Sequence, residues 1–84
     1  VSNKIASIMQ QMSNNMQVIV ITHLPQIASK GKRHYKVFKK EINEITTTNL
    51  KLLSNEERVL EIAEMLSGKD ISESALIHAK ELLN

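Results

Sequence analysis

Eighty-four residues with eleven Lys/Arg, nine Asp/Glu and no cysteine fit one small domain and exclude both a disulfide framework and a cysteine-based metal site. A chain this short buries only roughly 60 to 65% of its unfolded surface, a thin margin for a lone core. The net charge of +2 covers an asymmetry, because residues 1–53 hold eight Lys/Arg against two Glu while residues 54–84 hold three against seven acids, so the two halves can attract each other.

The chain opens on Ser2-Asn3, a polar cap, followed by Ile5, Ile8, Met9, Met12 and Met16 at three- and four-residue spacing. That spacing predicts an amphipathic helix ended by Ser13-Asn14-Asn15, with its methionine stripe packed in a core. Next comes Gln17-Val18-Ile19-Val20-Ile21-Thr22. Four consecutive β-branched apolar residues cannot alternate between a core and a wet face, so the run predicts a strand covered on both sides, as in a parallel sheet. Ligands of such sheets sit beyond the carboxyl ends of the strands, and here that end carries Thr22 and His23. Pro25 then presets φ for the first turn of a short helix with Leu24, Ile27 and Ala28 on its apolar side. His23 is therefore expected at a strand-to-helix corner, as a phosphate-facing group or as a capping or solvated histidine.

Gly31 breaks the pattern, and Lys30, Lys32, Arg33, Lys36, Lys39 and Lys40 make a basic run through which Tyr35, Val37 and Phe38 offer a strand. Such a run is either a solvated sheet edge or a contact to a phosphate backbone through Lys32, Arg33, Lys36 and Lys39. Tyr35 and Phe38 are the only aromatics, too few for a base-stacking single-strand module. Glu41-Ile42-Asn43-Glu44 predicts a hairpin turn, and Ile45 to Leu52 a returning antiparallel strand with one wet face.

Ser54-Asn55-Glu56-Glu57 is a capping box opening a helix whose face is Val59, Ile62, Ala63 and Leu66 and whose end is Gly68. Ser72 is placed to cap a final helix burying Leu76, Ala79 and Leu83. His34 and His78 read as solvated, with no metal-ligand spacing around either. Two fragments imitate nucleotide motifs and fail. Gly31-Lys32 ends like a phosphate loop, but Gln26 stands where the first glycine belongs and Arg33 replaces the Ser/Thr. Leu66-Ser67-Gly68 resembles a nucleotide-site signature but sits at a helix end, where outward carbonyls repel phosphate. No apolar run approaches the ~18 residues that cross a bilayer and no signal peptide opens the chain, which points to the cytoplasm.

Taken together, Ile21-Thr22-His23-Leu24-Pro25-Gln26-Ile27-Ala28, the Thr46-Thr47-Thr48 strand, Asn55-Glu56-Glu57-Arg58-Val59 with Glu61-Ile62-Ala63-Glu64-Met65-Leu66, and His78-Ala79-Lys80-Glu81-Leu82-Leu83 resemble the C-terminal end of the RecN family of bacterial DNA repair proteins. These are SMC-like ABC ATPases acting on double-strand breaks, with a head assembled from both ends of the polypeptide and a long coiled coil between them. The resemblance covers nearly the whole chain.

It implies an α/β fold, the C-terminal fragment of an ABC-type ATPase head, with a short mainly parallel sheet, a β-hairpin and two C-terminal helices. Residues 1–53 would form the lobe carrying the histidine and the hairpin, and residues 54–84 a helical pair packed on it. By the same resemblance His23 is the switch-loop histidine that approaches the γ-phosphate when two heads close on ATP, the catalytic and nucleotide-contacting residue of this stretch. ATP and Mg²⁺ would be bound by the full-length parent and not by this fragment alone, since the Walker B acid and D-loop would precede Val1. The implied partners are the N-terminal half of the same polypeptide, a second head in a homodimer, and DNA at the nucleoid, with no membrane. Gly31-Lys32-Arg33 departs from the family pattern, where a less basic connection is expected. From another class, the alternatives are a stand-alone basic module whose 30–40 segment contacts nucleic acid or an acidic protein, and a purely structural interaction domain.

Overall fold

A computed structural model describes residues 2–84, with the Ser2 side chain left aside. Its elements in chain order are α1 (Ser2–Met12), α2 (Pro25–Ala28), β1 (Tyr35–Ile42), β2 (Ile45–Leu52), α3 (Asn55–Ser67) and α4 (Glu73–Leu83).

The core sits between α3 and α4. Ile62 and Ala63 of α3 meet Ala75 and Ala79 of α4, and Ala28, Val59, Met65, Leu66, Ile71, Leu76, Leu82 and Leu83 pack around them. The ends of both helices are closed by their own sequence. The Ser54 hydroxyl accepts from the Glu57 N–H at 3.2 Å while the Glu57 carboxylate accepts from the Ser54 N–H at 3.0 Å, the reciprocal box expected of Ser-x-x-Glu. Gly68, at φ 83°, ends α3, its N–H donating to Glu64 O at 2.7 Å. The Ser72 hydroxyl accepts from the Ala75 N–H at 3.1 Å and opens α4.

β1 and β2 form an antiparallel hairpin from Tyr35↔Leu52 to Ile42↔Ile45. Its two-residue turn, Asn43 and Glu44, has φ of 52° and 64°, the left-handed pair of a type I′ turn that matches strand twist. One face turns Lys36, Phe38 and Lys51 toward α3. Lys36 pairs with Glu61 at 2.9 Å and Lys51 with Glu57 at 2.5 Å. The other face leaves Tyr35, Val37, Leu50 and Leu52 exposed.

The mainly parallel sheet expected from the sequence is not formed: among the described residues the sheet is the β1–β2 hairpin, and four helices accompany it. Residues 17–22 pair with no strand, and Ile19 and Ile21 stand 80% and 98% exposed. The physical reason is a shortage of partners. A strand buried on both faces needs a neighbour on at least one edge and two covering layers, and the two strands this chain does form are taken up by each other. The methionine stripe is corrected too. α1 forms, but among its described side chains Ala6 is buried and Met9 half-buried, while Ile5, Ile8 and Met12, and Met16 beyond the helix, are exposed. Ser2 and Asn3, expected as a polar cap before the helix, lie within α1 instead. The radius of gyration, 14.2 Å, exceeds the about 12 Å of a compact chain of this length, as expected where the N-terminal third has little to pack on.

Candidate functional site at the His23 corner

The corner is built from short-range chemistry. The Thr22 hydroxyl accepts from the Leu24 N–H at 3.0 Å, a side-chain turn that bends the chain at His23. Leu24 is extended (φ −98°, ψ 119°), as a residue before proline must be, and the buried Pro25 starts α2. The predicted strand end is thus a turn following an unpaired stretch, while the predicted helix start holds. Thr22 turns its hydroxyl onto its own chain. His23 is exposed, and its imidazole makes no hydrogen bond among the described residues.

The far end of α2 is held by side chains from two other helices. Arg58 of α3 places Nη2 3.1 Å from Ala28 O and 3.2 Å from Ser29 O and also donates to Gly31 O. Gln10 of α1 donates to Lys30 O at 3.1 Å. The Ala28 carbonyl is one that the helix end leaves without an intrahelical partner, and the other three follow it in the C-cap and the loop beyond. Burial holds the Arg58 guanidinium below its usual pKa. Sequence reasoning passed over Arg58 except as part of a motif. Along α3 the sequence offers Arg58 an acid at i+3, Glu61, but that carboxylate pairs with Lys36, which leaves the guanidinium fork for the carbonyls.

Two histidines differ from each other. His78 is exposed, as expected, whereas His34 is half-buried with its Nδ1 enclosed and unpartnered, a correction to its reading as solvated. Burial first, and then the Arg58 and Lys36 charges, lower the His34 pKa against an opposing pull from Glu61. The basic residues do not gather on one surface. Lys32 and Arg33 are exposed in the loop before β1, Lys39 sits on the hairpin face opposite Lys36, and Lys36 is engaged by Glu61.

The corner fits one contact to an anionic group and no more. His23 offers a ring N–H, but the Leu24 N–H is already bonded to Thr22 and Pro25 has none. Among the described residues no cluster of His, Cys, Asp and Glu could hold a metal ion, and no helix is long and apolar enough to cross a membrane.

No family model matches the chain. Individual proteins do. The chain is 43% identical to the DNA repair protein RecN of Rickettsia felis over 84 residues, all of this chain and 15% of that protein. It is 46% identical to RecN of Deinococcus radiodurans over 79 residues, 94% of this chain and 14% of that protein. Against RecN of Streptomyces coelicolor it is 42% identical over 73 residues, 87% and 13%. The chain thus spans about one-seventh of the length of the curated relatives it matches, and along its whole length it corresponds to a segment of the RecN family.

Proposed function

We propose that this segment is the part of a DNA-repair ATPase head that supplies the switch-loop histidine, His23, to an ATP site completed by the rest of the polypeptide. The observation that carries the reading is the match to RecN over the whole chain, which includes the Thr22-His23-Leu24-Pro25 corner. Its geometry supports the assignment: an exposed imidazole with no internal partner is free to donate to a phosphate, and the corner that carries it is fixed by Thr22 before it and Pro25 after it. Phosphoryl transfer is catalysed by positioning and by charge stabilisation, and this chain offers one donor toward that task. The phosphate loop, its lysine and the Mg²⁺-binding acid then belong to other parts of the polypeptide, and a second head and DNA are partners of the whole protein. Of the four residues Lys32, Arg33, Lys36 and Lys39, the first two and Lys39 are open to a phosphate backbone, since Lys36 is paired with Glu61.

The test is His23→Ala in the full-length protein. Loss of one preorganised donor costs about 10²–10³ in kcat, with nucleotide affinity and melting temperature nearly unchanged. Wild-type turnover would remove His23 from the mechanism, and a lowered melting temperature with proportional losses of binding and turnover would assign it to the fold.

A further inference from the structure

We infer that Arg58 is the positioning residue of the His23 corner, fixing the direction of the imidazole by holding the opposite end of α2 through the Ala28, Ser29 and Gly31 carbonyls. The inference rests on the reading of His23 given above and adds a residue that does not itself reach the nucleotide.

α2 is a lever of four residues, about 6 Å long at the rise of an α-helix. So short a helix has little stability of its own, since its one full turn is mostly nucleus. Its internal bonds are Ile27 N–H and Ala28 N–H to Leu24 O and Ser29 N–H to Pro25 O, at 3.0–3.1 Å. Everything that orients it comes from outside. At and just past its end, three carbonyls, those of Ala28, the C-cap Ser29 and Gly31, point at one nitrogen of Arg58, whose two hydrogens are shared among them. Gln10 takes the Lys30 carbonyl, and Lys30 Nζ reaches Leu82 O of α4 at 3.5 Å, a weaker third attachment. Arg58 therefore carries most of the anchoring.

The anchor is itself rigid. Arg58 directly follows the Ser54–Glu57 box and lies one turn before Ile62, the large side chain at the centre of the core with 0% exposure. A shift of α3 relative to α2 would be passed through the guanidinium to Pro25, and Pro25 adjoins the corner at which Thr22 bends the chain. Misplacing a reacting contact by about 1 Å costs on the order of 10²-fold in rate. A tilt of this lever of about 6 Å is enough to move His23 by that much.

The experiment uses the full-length protein with Arg58→Met, which keeps the apolar stem but removes every donor, and Arg58→Lys, which keeps a charge one bond short of the carbonyls. In the nucleotide-free protein, amide exchange at Ile27, Ala28 and Ser29 is expected to speed up at least about tenfold in Arg58→Met, with Arg58→Lys between it and wild type. Turnover is expected to fall about 10²-fold in Arg58→Met and about tenfold in Arg58→Lys with unchanged ATP affinity, and neither change to add to His23→Ala. Unchanged exchange at α2, wild-type turnover of Arg58→Met beside a slow His23→Ala, or full additivity with His23→Ala would each overturn the inference while leaving His23 in place. Wild-type turnover of His23→Ala would overturn the underlying reading and this one together. If neither Arg58 variant folds, Arg58 belongs to the fold and the inference is wrong.

Discussion

The α3–α4 pair and the stretch from α1 to Ile21 have similar apolar content and opposite outcomes. In the pair, Ile62 and Ala79 are fully buried, both helices have side-chain caps, and the first turns carry Glu56, Glu57 and Glu73 where helix dipoles favour acids. In α1 the first turn holds no acid and the last no base, and the apolar residues that follow it lie open to water. Capping and pairing of two adjacent helices close within a few residues of sequence. Burial of a run such as Val18–Ile21 does not, because its partners must come from elsewhere.

The largest way to break this contrast is Ile62→Ala. Deleting a buried isoleucine to alanine costs about 2–5 kcal/mol, which is most of what a domain this small can hold, so chemical denaturation of the chain should show loss of a cooperative transition. A retained transition of unchanged midpoint would mean that the pair is not the stable unit. Ser54→Ala comes next. It removes the oxygen that accepts from Glu57 N–H and should cost about 1 kcal/mol, read as a lower melting temperature with the helix content of α4 unaffected at low temperature.

How much of this was legible follows the same division. The box at Ser54, the stop at Gly68 and the cap at Ser72 are each written within four or five residues, and each is formed, while the hairpin turn expected over Glu41-Ile42-Asn43-Glu44 forms at Asn43-Glu44 with Glu41 and Ile42 still in β1. Pro25 as a helix start is equally local. The parallel strand at 17–22 rests on an unbroken apolar run and the methionine core of α1 on three- and four-residue spacing, and such patterns report that a surface wants burial but not whether this chain contains the surface to bury it. Arg58 escaped because its three acceptors are about thirty residues away in sequence, and backbone carbonyls carry no mark of which side chain will reach them. His34 escaped for the related reason that enclosure of one ring nitrogen depends on α3 packing beside it. The corner at His23 was legible as a corner; the helix end that orients it was not.

A smaller effect, damped by solvent because the imidazole is only partly enclosed, separates two pH windows. The folded chain resists protonation of His34, so the unfolded chain binds more protons once pH falls below its ordinary 6.5, and stability declines from there through the lower folded value. Glu57 acts lower down. Its carboxyl is held at about 2, from an ordinary 4.5, first by the Lys51 ammonium and then by the Ser54 N–H, so its contribution is present above 4.5 and is lost between 4.5 and about 2. In His34→Gln the decline beginning near pH 6.5 should flatten while the loss below pH 4.5 remains. Melting temperatures measured from pH 8 to 3 would show this, and an unchanged slope around pH 6 would mean that His34 is not held neutral by its surroundings.

The smallest expected effect discriminates best between the two regions. Ile21 is 98% exposed, so Ile21→Ser removes no contact and should leave the stability of this chain within about 0.5 kcal/mol of wild type. The hydrophobic term scales with area removed from water, and here none is removed. The same substitution made in a full-length RecN-type protein has a different expectation if the apolar run is covered there: loss of a buried isoleucine side chain together with burial of a hydroxyl costs several kcal/mol. Melting curves for the pair of variants, in the 84-residue chain and in the longer protein, therefore measure directly what covers residues 17–22. A loss in the short chain would show that the run is packed within it and would erase the contrast with α3–α4. Equal insensitivity in both would mean that the run stays wet in the whole protein, and that an exposed apolar surface of at least Ile19, Val20 and Ile21 is its working state.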